Sequence, residues 1–441
     1  MISLIEAFEK HFKEKGYQQP TTIQTAVAEP LAAGKTVMGI APTGSGKTLA
    51  FTWPLLPRLT AGAGIQVLVL EPSQELALQT TRVMREWAGL LGLKVQSLTG
   101  GANLRRQRER LRKSRPDVVV GTPGRVLHLL DNRYLKLNDL KTLVIDEADD
   151  LLADDTEAVV EDIERQTPLD TQLAFFSATM SSQLGQAEVI FGRDVVKCDV
   201  RKQDHSRGPV QHGCLYARTM AQKAQVLEQL SYTKNFRALV FFSSIKTLHY
   251  TASRLRHDGI SAASLGGRQR QVEREKVMRQ FRKHQVKLLL TTDVAARGLD
   301  IPKLPAVVNF ELPTSVNEYI HRTGRTGRQG EPGVVINLGD DHDFRDLKHL
   351  LADTEYKLET MSIHAHRLTN GKSGKDKDAE PVRNENNREL RKGQHRRADS
   401  IQKTVHRTLD RFSKPHKRRH KKQRKNKGIR LRHRREHEKQ Q

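Results

Sequence analysis

Hydrophobic positions along the chain fall into two series of short, unbroken apolar runs. The first comprises TVMGIA (36–41), QVLVLE (66–71), DVVVGT (117–122), TLVIDEA (142–148) and LAFFSAT (173–179). The second comprises ALVFF (238–242), KLLLTTD (287–293), AVVNFELP (306–313) and GVVINLG (333–339). Runs rich in Val, Leu and Ile that do not alternate with polar residues predict strands buried on both faces of a parallel sheet. Stretches such as QELALQTTRVMREWAGLLG (74–92) repeat their apolar positions at helical spacing. They predict right-handed crossover helices between the strands. The expected fold class is therefore α/β, in two tandem parallel-sheet domains. Between the series, DVRKQDHSRGPVQ shows no apolar period, and an interdomain linker is expected at 201–209, between domains at 1–200 and 210–362.

Charge adds a third region. The 441 residues carry 76 Lys+Arg and 51 Asp+Glu, a formal net charge of +25. Residues 367–441 alone hold 27 Lys+Arg and 9 Asp+Glu, so 27 − 9 = +18 of that excess lies there, with Phe412 as the sole Phe, Tyr or Trp. A segment with so little to bury cannot offset the entropy of ordering. We expect a basic, disordered tail over 363–441 and a polyanionic partner. Two cysteines, Cys198 and Cys214, exclude a disulfide scaffold or a Cys-rich zinc module. No apolar run reaches the roughly 20 residues that span a bilayer, and the first residues pattern as a helix rather than a signal peptide.

Candidate chemistry clusters where the strands end. APTGSGKT (Ala41, Pro42, Thr43, Gly44, Ser45, Gly46, Lys47, Thr48) follows one strand and opens a helical pattern, the context of a phosphate-binding loop. Its glycines let backbone N–H groups close around phosphate oxygens at a helix N-terminus. Lys47 is placed to reach the β- and γ-phosphates, and the Thr48 hydroxyl to ligate Mg²⁺. DEAD (146–149) ends a buried strand, where open α/β sheets bind ligands. Asp146 is placed to hold Mg²⁺ and Glu147 to deprotonate an attacking water. HRTGRTGR (321–328) offers three arginines, which a surface turn would not need. Arg325 and Arg328 are candidate arginine fingers reaching the γ-phosphate from the second domain.

In this ordered set the chain resembles the DEAD-box RNA helicases of the second helicase superfamily, over roughly residues 4–360. The resemblance implies RecA-like P-loop domains, ATP and Mg²⁺ as cofactor and metal, and RNA as the partner. GYQQPTTIQ (16–24) resembles the family's Q motif, in which Gln24, beside Tyr17, reads adenine. PSQELA (72–77), TGG (99–101) and TPGR (122–125) match RNA-contact motifs. The segments VFFSS (240–244), Gln271 with Arg274, and TTDVAARGLD (291–300) match motifs of the second domain. RNA contacts are thereby implied at Pro72, Gly100, Gly101, Thr122, Gly124, Arg125, Thr291 and Gly298. Coupling between ATP and RNA is implied at Ser177, Thr179, Arg297 and His321, and ribose contact at Asp300. Three departures stand out: Gln74 replaces the usual Arg, Gly266 replaces the usual His, and the family's aromatic upstream of the Q motif has no counterpart.

The implied function is local, non-processive remodelling of RNA duplexes and RNA–protein complexes, with little base readout, since small residues and loop N–H groups contact phosphate and 2′-hydroxyl. A DNA translocase, or an RNA chaperone on an inactive helicase fold, are the alternatives; the Q motif and DEAD sequence argue against the first, and intact Lys47, Asp146, Glu147, Arg325 and Arg328 against the second. A cytoplasmic monomer of bacterial origin, acting on ribosomal or messenger RNA complexes, with the tail as an electrostatic tether, completes the expectation.

Overall fold

The computed structural model describes residues 5–371, except 154, 205, 207, 267, 268, 270, 297, 298, 300 and 302. The tail beyond 371, and with it the expectation of disorder, lies outside the described residues. Among those described, the first domain holds β1 (Val37–Ile40), β2 (Val67–Leu70), β3 (Val95–Leu98), β4 (Val118–Gly121), β5 (Thr142–Asp146), β6 (Gln172–Ser177) and β7 (Val196–Asp199). They form one parallel sheet in the order β3-β4-β2-β5-β6-β1-β7. The second holds β8 (Val210–Tyr216), β9 (Ala238–Phe242), β10 (Ala262–Leu265), β11 (Leu288–Thr292), β12 (Ala306–Asn309), β13 (Gly333–Gly339), β14 (Leu358–His364) and β15 (Arg367–Asn370). Their order is β10-β11-β9-β12-β13-β8-β14-β15, parallel except for the last pair.

Each central strand is covered on both sides, as its unbroken apolar run requires. In β2, Val67 and Val69 enter one core while Leu68 and Leu70 enter the other. In β9, Ala238, Val240 and Phe242 face one side, Leu239 and Phe241 the opposite. Because the strands of each sheet's centre are parallel, their carboxyl ends share one edge. The loop 41–46 after β1, Glu71 after β2, Thr122 after β4, Asp146 at the end of β5 and Ser177 at the end of β6 are thereby gathered at one rim.

Two expectations need correcting. The sheet does not end at residue 362. The β14–β15 hairpin continues to Asn370, with Met361 opposite Asn370 and His364 opposite Arg367, and Ile363 and Leu368 pack against the core. Two apolar residues in a polar stretch are enough to seat a hairpin on an existing sheet. The second correction concerns HRTGRTGR, where Arg322 has a structural role. It is fully buried. Its Nε and Nη2 reach Asp293 at 2.7 Å each, Nη1 reaches Glu311 O at 2.7 Å and Asn309 Oδ1 at 3.1 Å, and Nη2 also reaches Glu318. All five guanidinium N–H groups are thus used, the condition under which a buried arginine is tolerated.

Candidate nucleotide and RNA sites

The loop after β1 turns on two glycines in the left-handed region, Gly44 at φ 85° and Gly46 at φ 88°. Gly46 also caps the helix Lys47–Leu55, and a Cβ on it would lie 2.5 Å from Gln24 Nε2. A side chain there would collide with the Gln24 amide packed over the loop, so glycine is required twice over. Lys47 is buried, with Nζ 3.4 Å from Ala41 O and 3.6 Å from Glu147 Oε2. The Ser45 hydroxyl is buried with no partner. Gln24 Oε1 accepts from Thr21 N at 2.8 Å and Nε2 donates to Gly46 O at 3.2 Å. The amide therefore keeps one N–H and one lone pair for a base edge. Tyr17 is exposed, its ring 5.3 Å from that of Phe12. Pro42 and Thr48 hold the loop's two ends, and Thr48 O accepts from Thr52 at 2.6 Å.

Beside the loop, Asp146 is buried and accepts from Glu147 N at 3.0 Å. Burial, then the neighbouring Glu147 charge, pushes its carboxyl up to about 7. A carboxyl forced towards neutrality in this way is one that a cation would restore to its charged form. Glu147 sits at φ 47°, a left-handed conformation that a non-glycine residue adopts only under constraint. It swings the side chain off the strand axis towards Lys47.

Asp149, which the sequence reading left without a role, is the hub of the rim. Its Oδ2 accepts from the Thr179 hydroxyl and from His321 Nε2, the latter at 2.8 Å. Thr179 N in turn donates to Ser177 Oγ at 3.0 Å, and Ser177 Oγ donates to Thr179 O at 2.7 Å. The end of β6, the helix start after β5 and the second domain meet at one carboxylate. Burial works against its charge, but the bonds from His321 and Thr179 hold it well below the usual carboxylate range. Burial also opposes the charge of His321, which Asp149 nevertheless raises above the ordinary imidazole value. Two more contacts cross between the domains. Thr43 Oγ1 donates to Gly324 O at 3.1 Å, and Arg274 Nε lies 2.9 Å from Glu75 Oε1.

Arg325 and Arg328 are both brought to this rim. Arg328 Nε donates to Gly324 O at 2.9 Å, and its Cγ would lie 3.6 Å from a Cβ on Gly44. Arg325 Nη1 donates to Leu299 O at 3.3 Å and lines a hollow with Asp149, Asp150, Asp293 and His321. Arg297, Gly298 and Asp300 lie outside the described residues.

An open cleft of about 990 Å³ runs beside the rim, lined by Pro72, Gly100, Gly101 and Thr122 of the first domain and Gln269, Arg274, Val294 and Ala295 of the second. Gly124 borders open space, with nothing within 4 Å of an added Cβ. Arg125 does not present a free guanidinium: it donates to Gln107 Oε1 at 2.6 Å and Ala102 O at 3.2 Å, bracing the loop that carries Gly100 and Gly101. The Thr291 side chain is not brought into the cleft. It is fully buried, and its hydroxyl donates to Thr292 O. Gln74 packs against the glycine loop, with Nε2 3.2 Å from a Cβ on Gly100.

Comparison with known proteins agrees with this arrangement. The DEAD/DEAH box helicase family matches residues 21–187, and the helicase conserved C-terminal domain matches 222–330. YfmL of Bacillus subtilis, a probable ATP-dependent RNA helicase, is 35% identical over 331 residues, covering 75% of this chain and 87% of its own length. The DEAD-box ATP-dependent RNA helicase CshC of Bacillus cereus is 34% identical over 349 residues, covering 79% and 89%. The structure of Dbp5 of S. cerevisiae bound to RNA and ADP BeF3 superposes with a TM-score of 0.72, at 30% identity, covering 81% of this chain and 94% of that one. With both family models matched and relatives at 34–35% identity covering three quarters or more of it, the chain belongs to the DEAD-box family of ATP-dependent RNA helicases.

Proposed function

We propose that ATP and RNA together close the two domains, that only a bent single strand fits the closed cleft, and that hydrolysis and phosphate release reopen it. Duplexes and RNA–protein complexes are opened locally rather than by translocation. The observation that carries this reading is the Asp149–Thr179–His321 contact, which joins the strand-end carboxylates, the end of β6 and the arginine segment of the second domain. A change at the phosphates then has a direct mechanical path to the cleft.

In this reading the loop N–H groups and Lys47 hold the phosphates, and Arg325 and Arg328 complete the site from the second domain. Gln24 reads adenine next to Tyr17, and Asp300 takes the ribose. Mg²⁺ fits the residues present: Asp146 and Thr48 are hard oxygen donors, and buried carboxylate oxygens without hydrogen-bond partners stand at Glu71, Glu147 and Asp149. No three His, Cys, Asp or Glu residues among those described converge as a metal site. That suits an ion which keeps much of its water and relies on substrate phosphates. Held by Asp146 and Thr48, such an ion would supply neutralisation of phosphate charge. Glu147 accepts the proton of the attacking water, while Asp149 stays with His321 and Thr179.

The cleft, lined by small residues and backbone, supports contact with phosphates and 2′-hydroxyls over base readout. RNA is the substrate, as a single strand or duplex; ribosomal or messenger RNA complexes in the cytoplasm, engaged by a monomer, are the setting we infer. The test is strand separation on duplexes of graded length. Unwinding that falls steeply with duplex length, with ATP hydrolysis stimulated by RNA and not by DNA, is expected. Equal unwinding of short and long duplexes would sink the local mechanism.

Gln24→Ala should weaken ATP use more than GTP use, because one donor and one acceptor on an amide match adenine and mismatch guanine. The bond to Gly46 O is lost as well, so half-saturation by ATP should rise roughly 2- to 10-fold. Equal stimulation of the parent protein by GTP and ATP would show that the amide does not select the base.

A further inference from the structure

One buried carboxyl beside the site has been given no role of its own. Glu71 follows β2 and is completely inaccessible. Its Oε1 accepts from the Thr80 hydroxyl at 2.5 Å, while Oε2 is buried with no hydrogen-bond partner. An unpaired buried polar atom costs about 1–3 kcal/mol, and more when charged. Its position suggests what the oxygen is for. Leu70 stands opposite Ile145 in the β2–β5 register, so Glu71 is level with Asp146 on the adjacent strand. Two residues earlier, Val69 and Val144 share one core. Side chains repeat their face every second residue, so both carboxyls stand on that same side, about 4.8 Å apart strand to strand. Three carboxyls, Glu71, Asp146 and Glu147, thus lie within electrostatic reach of the Lys47 ammonium.

We propose that Glu71 is a second carboxylate beside the divalent-cation site, a positioning residue whose free oxygen accepts a hydrogen bond from a water ligated to the cation held by Asp146. The proposal rests on the Mg²⁺ reading above. Mg²⁺ retains several waters when one or two carboxylates hold it, and those waters need acceptors. Glu71 offers a buried, unclaimed one on the face where Asp146 stands. The cation's double charge also removes the like-charge cost of seating a second carboxylate there.

The test is ADP affinity by calorimetry, with and without Mg²⁺, for the full chain and for Glu71→Gln. Gln keeps the size and the acceptor for Thr80 but cannot carry charge. The factor by which Mg²⁺ tightens ADP binding should fall roughly 10- to 100-fold. ADP alone should bind no more weakly than to the parent, and the metal-free melting temperature should not drop. An unchanged Mg²⁺ factor overturns the proposal. So does a variant that melts earlier or fails to fold, or one that loses ADP affinity equally with and without metal, since each marks Glu71 as structural. If Mg²⁺ leaves ADP binding by the parent unaffected, the cation reading itself fails, and this inference with it.

Discussion

Glu147→Gln is expected to bind ATP and RNA as the parent does and to hydrolyse ATP about 10²- to 10⁴-fold more slowly, the range for loss of a general base. The substitution keeps the volume of the side chain and leaves the left-handed turn at φ 47° undisturbed. It also keeps an oxygen for Lys47, 3.6 Å away. What it removes is the basicity of that side chain, because an amide does not take up a proton near neutral pH. Single-turnover hydrolysis and RNA affinity in ATP, measured side by side, separate chemistry from binding. Slow cleavage with retained affinity is the expected pair. Turnover at the parent's rate would remove Glu147 from the chemistry. Lys47→Ala provides the contrast: it takes away the buried cation facing the phosphates and should abolish nucleotide affinity first.

Truncation after Gly371 should lower RNA affinity strongly while leaving turnover at saturating RNA almost unchanged. Residues 372–441 carry 26 Lys+Arg and 9 Asp+Glu, a net 26 − 9 = +17, and none of the candidate nucleotide or RNA-contact residues. Each phosphate neutralised on a single strand contributes about −0.7 to the slope of log affinity against log salt. Some six contacts would steepen that slope by about 4, and would separate the two proteins several-hundredfold in affinity across a fourfold change in salt. The RNA concentration for half-maximal ATPase should rise accordingly. An unchanged slope and half-maximal concentration would leave the tail with solubility or localisation as its role. The cut belongs after the β14–β15 hairpin. Ending the chain at 366 would delete β15 and bare the edge of β14, a template for unwanted pairing.

The interior of the fold was legible because double-sided burial leaves a mark in the sequence: VLVL, VVVG, TLVID and ALVFF are covered on both faces and contain little else than aliphatic or aromatic residues. Strands at the margins leave none. β3 (VQSL) and β7 (VKCD) edge the first sheet: β7 is largely exposed, so Lys197 and Asp199 face water, whereas β3 buries Gln96 by giving its amide Gln107 O and the Ser114 hydroxyl, and in both a polar residue hides the strand. β8 is interior yet reads VQHGCLY, because His212 is accommodated by the Tyr319 hydroxyl at 2.7 Å, a partner more than a hundred residues away. The phosphate loop was legible for a different reason. Backbone dihedrals near +85° restrict Gly44 and Gly46 chemically, and that restriction is local. Whether Arg322 turns inward, or Glu71 comes level with Asp146, depends on Asp293, Asn309, Thr80 and strand register, all set by tertiary structure.

The carboxylate of Asp149 serves Thr179 in its own domain and His321 in the other with a single oxygen. Two donors sharing one acceptor do not contribute separate portions of stability. Replacing Asp149 breaks both bonds at once, and a later replacement of Thr179 or His321 then costs little more; replacing either donor alone leaves the other bond in place. Drift at the carboxylate is thus punished in full, and drift at the two donors becomes nearly neutral afterwards. Lineages that lose Asp149 should therefore go on to lose Thr179 and His321, whereas lineages that lose one donor should still keep Asp149 with the other.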